Sequence, residues 1–117
     1  DDFVPYGGGE VRGDIRGRVL SVQDTAAFWI AADGCPDKPL GSVLDPTAQD
    51  GTGVRVETWI GGKAGSAVAV YTVEGGGHTW PGAQRGRITG RVLGPTSQTF
   101  NATRTIWEFF ELHPKLQ

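Results

Sequence analysis

One cysteine, two histidines and a net charge of −2 are what this chain of 117 residues offers in its scarcest chemistries. Each scarcity excludes something. With Cys35 alone, no disulfide can form within the chain. Its surroundings in "DGCPDKP" are mostly acidic, whereas a reactive thiol needs basic neighbours, so it reads as a loop or packing residue. A charge so small and evenly spread argues against a nucleic-acid or acidic-membrane partner. No run approaches the roughly 20 consecutive apolar residues of a membrane span. The opening "DDFVPY" is no cationic, apolar leader. No GxxxxGK[ST] or GxGxxG surrounds Gly75–Gly77, so a phosphate cradle is a poor reading of those glycines. No GxSxG occurs anywhere; Ser66 in "KAGSAV" lacks the second glycine.

What is present in excess is glycine, at 19 residues, and tryptophan, at four. The glycine share is more than twice the usual ~7%. Loops with unusual backbone angles, and aromatic anchors beside them, account for both. An apolar content of 38% and the low charge predict one folded, soluble segment spanning 1–117.

The opening "DDFVPYGGGEV" reads as a loop. Ser21 to Asp33 is the first helix, with Ser21 as its cap, Asp24 as the acidic side of a capping box, and Gly34 at the stop position. Val22, Ala26, Trp29 and Ile30 share a face, with Phe28 beside them. The segment from Cys35 to Gly53, rich in Pro, Asp and Gly, reads as a long loop. "VRVETWI" alternates Val54, Val56, Thr58 and Ile60 on one face and predicts a half-buried strand. "AVAVYTV", Ala67 to Val73, is apolar throughout and predicts an interior strand. The stretch from Gly82 to Gln98, with Arg85, Arg87, Arg91 and Pro95, reads as a further loop. "NATRTIWEFFELH" predicts a closing helix capped by Asn101, with Ile106, Phe109, Phe110 and His113 on one face and Pro114 after it. Two strands and two helices leave a buried strand short of neighbours, so the chain reads as the end of something larger.

"EGGGHTWPG", Glu74 to Gly82, departs most from ordinary composition, and it follows the predicted interior strand directly. His78 there has three readings. It is a hydrogen-bonded turn residue, a metal ligand, or a general base. The metal reading is weak, because His113 has no ligand spacing to it. The base reading needs a carboxylate on one ring nitrogen and a nucleophile at the other.

"YTVEGGGHTWPG" followed by "NATRTIWEFFELHP" resembles the carboxyl-terminal signature of depolymerase-type esterases. These are α/β-hydrolases that include extracellular polyhydroxybutyrate depolymerases and feruloyl or acetyl xylan esterases. "GRVLSVQDTAAFWIAADGC" is similar to the helix and loop that the family places before its last strands. "DDFVPYGGG" is similar to the loop that follows a strand ending in His-Gly-Thr. The resemblance implies an α/β fold: the last strands and helices of a mostly parallel α/β-hydrolase sheet, incomplete alone. It implies His78 as catalytic histidine. The family's acid is separated by two residues from "VPY", which makes it Asp1, with Asp2 the fallback. Trp80 matches an aromatic at the mouth of the acyl or aryl pocket. The acid-then-base order agrees with Ser…Asp…His.

The resemblance further implies a secreted serine esterase acting on a polyester, an aryl ester or an acylated polysaccharide. No cofactor or metal is expected. Two departures stand out. The nucleophile is missing, which predicts truncation and an inactive fragment whose partner is the amino-terminal part of the same enzyme; Asp1, where a strand should just have ended, is an improbable native start. The family's second cysteine, often found shortly before the final strand, is replaced by "IGGKAGSA". Two other readings remain. One is a non-catalytic carbohydrate- or polymer-binding remnant using Trp80 and Trp59. The other is an assembly half that completes its sheet with another chain.

Overall fold

A computed structural model describes residues 1–12, 17–45, 48–84 and 92–114. Arg85, Arg87 and Arg91 lie outside the described residues. Two-residue strands β1 (Gly9–Glu10) and β2 (Arg18–Val19) pair antiparallel. Helix α1 (Val22–Asp33) follows, then strands β3 (Leu40–Asp45), β4 (Gly53–Trp59) and β5 (Val68–Glu74), and finally helix α2 (Ala102–Leu112).

The helix ends follow the local chemistry of the sequence. The Ser21 side chain accepts from the Asp24 main-chain nitrogen at 2.9 Å, and its hydroxyl donates to the Asp24 carboxylate at 2.7 Å. Gly34 closes α1 in the left-handed region at φ 64°. Asn101 Oδ1 accepts from the Arg104 main-chain nitrogen at 3.0 Å and so caps α2. Each cap satisfies a main-chain donor that the helix leaves orphaned, worth about 1 kcal/mol.

The larger sheet has the order β3-β4-β5, with both pairings antiparallel. Val54 faces Val73, Val56 faces Tyr71 and Thr58 faces Ala69, so these side chains share one face. That face looks toward α2, across a groove of about 340 Å³ lined by Tyr71, Val73, Phe100, Ile106 and Phe109. The opposite face, with Trp59 and Val70, looks toward Val22, Ala26 and Ile30 of α1 across a cavity of about 430 Å³. Among the described residues the buried apolar side chains are Cys35, Val54, Val56 and Ala102. Two valines buried to this degree contribute about 2 kcal/mol each.

The expected fold class is overturned. A mostly parallel α/β-hydrolase sheet does not form; two antiparallel sheets and two helices do. The physical reason is connection length. Residues 46–52 join β3 to β4 and residues 60–67 join β4 to β5. Parallel neighbours need a crossover of roughly a dozen residues or more, whereas short links return the chain antiparallel. The strand read as interior, β5, lies at the sheet's edge. The loop assigned to Cys35–Gly53 contains β3, and the opening loop reaches into the β1–β2 ribbon.

The helix faces also differ from expectation. On α1 the half-buried stripe is Val22, Ala26 and Ile30, while Phe28 and Trp29 are exposed and pack edge to face against each other. On α2 the stripe is Ala102, Thr105 and Phe109, continuing to His113, and Ile106 and Phe110 are exposed. No helix among the described residues is long and apolar enough to cross a membrane.

Candidate active site

Strand β5 ends at Glu74, and the three glycines carry the chain from it to His78. Two of them have no substitute. Gly75 sits at φ 71°, and a Cβ there would lie 2.8 Å from the Gly51 carbonyl oxygen. Gly77 is pressed against residues 93–94, where an added Cβ would meet the Leu93 carbonyl oxygen at 1.9 Å. Only a residue without a side chain lets these two strands of main chain approach so closely. The approach is used at once: the Gly77 nitrogen donates to the Pro95 carbonyl at 2.9 Å and the His78 nitrogen to the Leu93 carbonyl at 2.7 Å.

Held this way, the imidazole meets Asp1. Its Nδ1 lies 2.8 Å from Asp1 Oδ2, across 77 residues of sequence. A carboxylate only accepts, so the ring donates from Nδ1 and its Nε2 keeps a lone pair in the neutral form. The other oxygen, Asp1 Oδ1, accepts from the main-chain nitrogens of Phe3 at 2.8 Å and Val4 at 3.0 Å. These bonds fix the carboxylate against rotation. The Phe3 ring lies 5.4 Å from the imidazole, centre to centre, and backs it on one side. The His78 side chain is 49% exposed and that of Asp1 27%, so the pair is accessible. The carboxylate on His78 is that of Asp1, not of the fallback Asp2.

Chemically, such an arrangement can serve as a base: the carboxylate sets the ring's tautomer and orientation, and among the described residues nothing hydrogen-bonds to Nε2, which can then exchange a proton. Asp1 also borders a cleft of about 880 Å³ whose walls include Val4, Arg55, Thr72, Gly76 and Leu93. Among the described residues, no group of three or more His, Cys, Asp or Glu side chains could hold a metal ion.

Trp80, 55% exposed, is tethered through its indole nitrogen to the Thr103 hydroxyl at 3.0 Å. It lines the apolar groove between β5 and α2. Trp59 opens on the other side, into the cavity beneath α1, with its indole nitrogen 3.4 Å from the Asp37 carbonyl. The two indoles therefore do not form one platform. Phe3, the 93–95 carbonyls and Thr103 carry no mark in the sequence, because each acts through a contact distant along the chain.

No protein-family profile matches the chain, and no solved structure matches it. A search of curated proteins gives "Putative esterase NocK" of Nocardia uniformis subsp. tsuyamanensis, 30% identical over 92 residues. That alignment covers 77% of this chain and 26% of the other, so the chain spans about a quarter of the relative's length. The chain is thus similar to a protein named as an esterase over most of its own length, and the resemblance to the narrower depolymerase group stands on its residues alone.

Proposed function

We propose that this chain supplies the acid and the base of a carboxylic ester hydrolase of the Ser-Asp-His type, and that the serine lies outside these 117 residues. The observation that carries the reading is the 2.8 Å bond between Asp1 Oδ2 and His78 Nδ1. The likeness to an esterase-named protein supports it.

In this mechanism His78 Nε2 takes the proton of the serine hydroxyl as its oxygen attacks the ester carbonyl. The imidazolium so formed is stabilised by the Asp1 carboxylate at Nδ1. Collapse of the tetrahedral species breaks the carbon–alkoxy bond, and His78 returns the proton to the departing alcohol. His78 then takes a proton from water as it attacks the acyl-enzyme, and gives that proton to serine as the acid leaves. The apolar groove beside Trp80 suits an acyl or aryl group, which fits an aryl ester, a polyester or an acylated polysaccharide, met outside the cell. No cofactor enters these steps.

Fifteen large apolar side chains are exposed among the described residues, Phe28, Trp29 and Trp107 among them. Such a surface suits burial against the remainder of a larger enzyme. It is also what favours the assembly reading, in which a second chain covers it. A binding remnant is less well supported, because the two indoles face apart and because binding alone has no use for an aspartate on His78.

The test uses the protein encoded by the complete open reading frame that carries this chain, assayed on p-nitrophenyl esters. His78→Ala is expected to abolish hydrolysis while leaving the fold intact. Full activity in that variant would remove the proposal. The 117-residue chain alone is expected to be inactive.

A further inference from the structure

The histidine loop is gripped by one neighbouring segment, residues 93–98. The carbonyls of Leu93 and Pro95 accept from His78 and Gly77, and that of Ser97 accepts from the Gly82 nitrogen at 2.8 Å. The Thr79 hydroxyl donates to the Pro95 carbonyl at 2.9 Å, and the Gln98 amide donates to the Ala83 carbonyl at 3.0 Å. Both ends of the loop, and His78 itself, are therefore placed by wherever 93–98 sits.

That segment is fixed in turn by a polar cluster from the turn before β4. Asp50 Oδ2 accepts from the Gln98 main-chain nitrogen at 2.6 Å. Asp50 Oδ1 accepts from the Thr52 nitrogen at 2.9 Å and from its hydroxyl at 2.7 Å. The hydroxyls of Thr52 and Ser97 hydrogen-bond to each other at 2.9 Å. Thr52 is 3% exposed and Ser97 1%, which places both among the most buried side chains of the described residues. Buried hydroxyls in such a chain form a fully partnered network, which holds one geometry because every alternative leaves a polar group unpaired. The same turn meets the glycines directly, since the Gly51 carbonyl fills the space a Cβ of Gly75 would need.

We propose that Asp50, Thr52 and Ser97 are positioning residues for His78: they set the height of the 93–98 segment, and that segment sets the imidazole on Asp1. This rests on the reading of His78 as the base. None of the three touches the ring, and each acts through the main chain between.

The two histidines of the chain provide the test. His113 Nδ1 lies 2.9 Å from the Gly65 carbonyl, so it too must donate from Nδ1, in a part of the fold that the cluster does not reach. In the intact protein, with imidazole nitrogens labelled and both resonances assigned by single substitution, ring nitrogen shifts report each tautomer. Thr52→Val is expected to lose about half or more of the Nδ1–H form at His78 and none at His113, and Thr52→Ser to restore it. The double variant Thr52→Val/Ser97→Ala, which orphans neither hydroxyl, carries the same expectation where the single variant unfolds. In ester hydrolysis kcat is expected to fall about tenfold, with KM within twofold, as for a small misplacement of a catalytic group. An unchanged His78 tautomer in both variants would overturn the positioning role. Asp1→Asn separates the two ideas: if His78 keeps its Nδ1–H form there, the Asp1–His78 reading itself fails, whatever Thr52 does.

Discussion

The two histidines hydrogen-bond through the same atom to different partners, and the difference separates the residue proposed as the base from one held only by the main chain. His113, at the end of α2, donates to the Gly65 carbonyl and packs its ring against Phe109 at 4.7 Å. A carbonyl dipole fixes the ring but carries no full charge. His78 donates to a carboxylate that two main-chain nitrogens hold in place. That partner strengthens its hold as the ring becomes positive, which is what proton transfer at Nε2 requires. The same contrast appears in the surroundings. Around His113 the chain forms a turn at Gly62–Ser66, whereas around His78 two glycines and five carbonyl-directed bonds place the loop.

The sharpest break of the comparison is His78→Ala against His113→Ala in the intact protein. The first is expected to lower kcat by about 10⁴-fold or more, and the second to leave it within a few-fold. Equal losses would erase the distinction. Asp1→Asn keeps the shape but reverses the hydrogen-bonding preference at Nδ1, and a loss of about 10³- to 10⁴-fold in kcat is expected. A change under tenfold would make Asp1 a spectator. Gly77→Ala must push residues 93–94 away, because the new Cβ would otherwise sit 1.9 Å from the Leu93 oxygen. About 10²-fold in kcat is the expected effect of that displacement, with KM little changed.

Two further changes act on the His113 side and should spare activity. A Cβ at Gly62 would lie 2.8 Å from Cys35 Sγ, near the ~3 Å that separates a Cβ from the far sulfur of a disulfide. Gly62→Cys is therefore expected to pair with Cys35 under oxidation. Closing that loop would give roughly 3–4 kcal/mol. Crowding by Ser66 Oγ and the Asp33 carbonyl, 2.5 and 2.9 Å from the same Cβ, should cut the gain to about 2 kcal/mol. Thiol titration and melting with and without reductant decide it; two free thiols after oxidation would rule it out. His113→Ala removes one hydrogen bond and a ring contact, and about 1 kcal/mol of stability should go with them.

Local chemistry was readable where it acts over a few residues. The caps Ser21 and Asn101, the stop at Gly34, and the strands around Val54 and Val70 follow from patterns that repeat within a turn or a pleat. Strand β3 did not, because Leu40, Val43 and Leu44 are exposed and Gly41 and Ser42 interrupt them, leaving no buried alternation to read. Spacing alone puts Trp29 on a core face, but the stripe that meets the sheet runs Val22, Ala26, Ile30 and leaves the indole outside. The antiparallel direction is legible only in the short link between the strands around Val54 and Val70, and the family likeness points the other way. His78 is marked locally by its run of glycines, but Asp1 follows only from that likeness, since no local pattern marks a contact 77 residues apart. The Asp50–Thr52–Ser97 cluster gave no signal for the same reason.

The most direct measurement is a double-variant cycle on Asp1 and His78 in the intact protein, reading kcat/KM for hydrolysis of an activated ester. If the two act as one unit, Asp1→Asn/His78→Ala is expected to be no slower than His78→Ala alone, because the aspartate has nothing left to orient. Losses that multiply would mean that the carboxylate and the imidazole work separately, and the 2.8 Å bond between them would then have no part in the reaction.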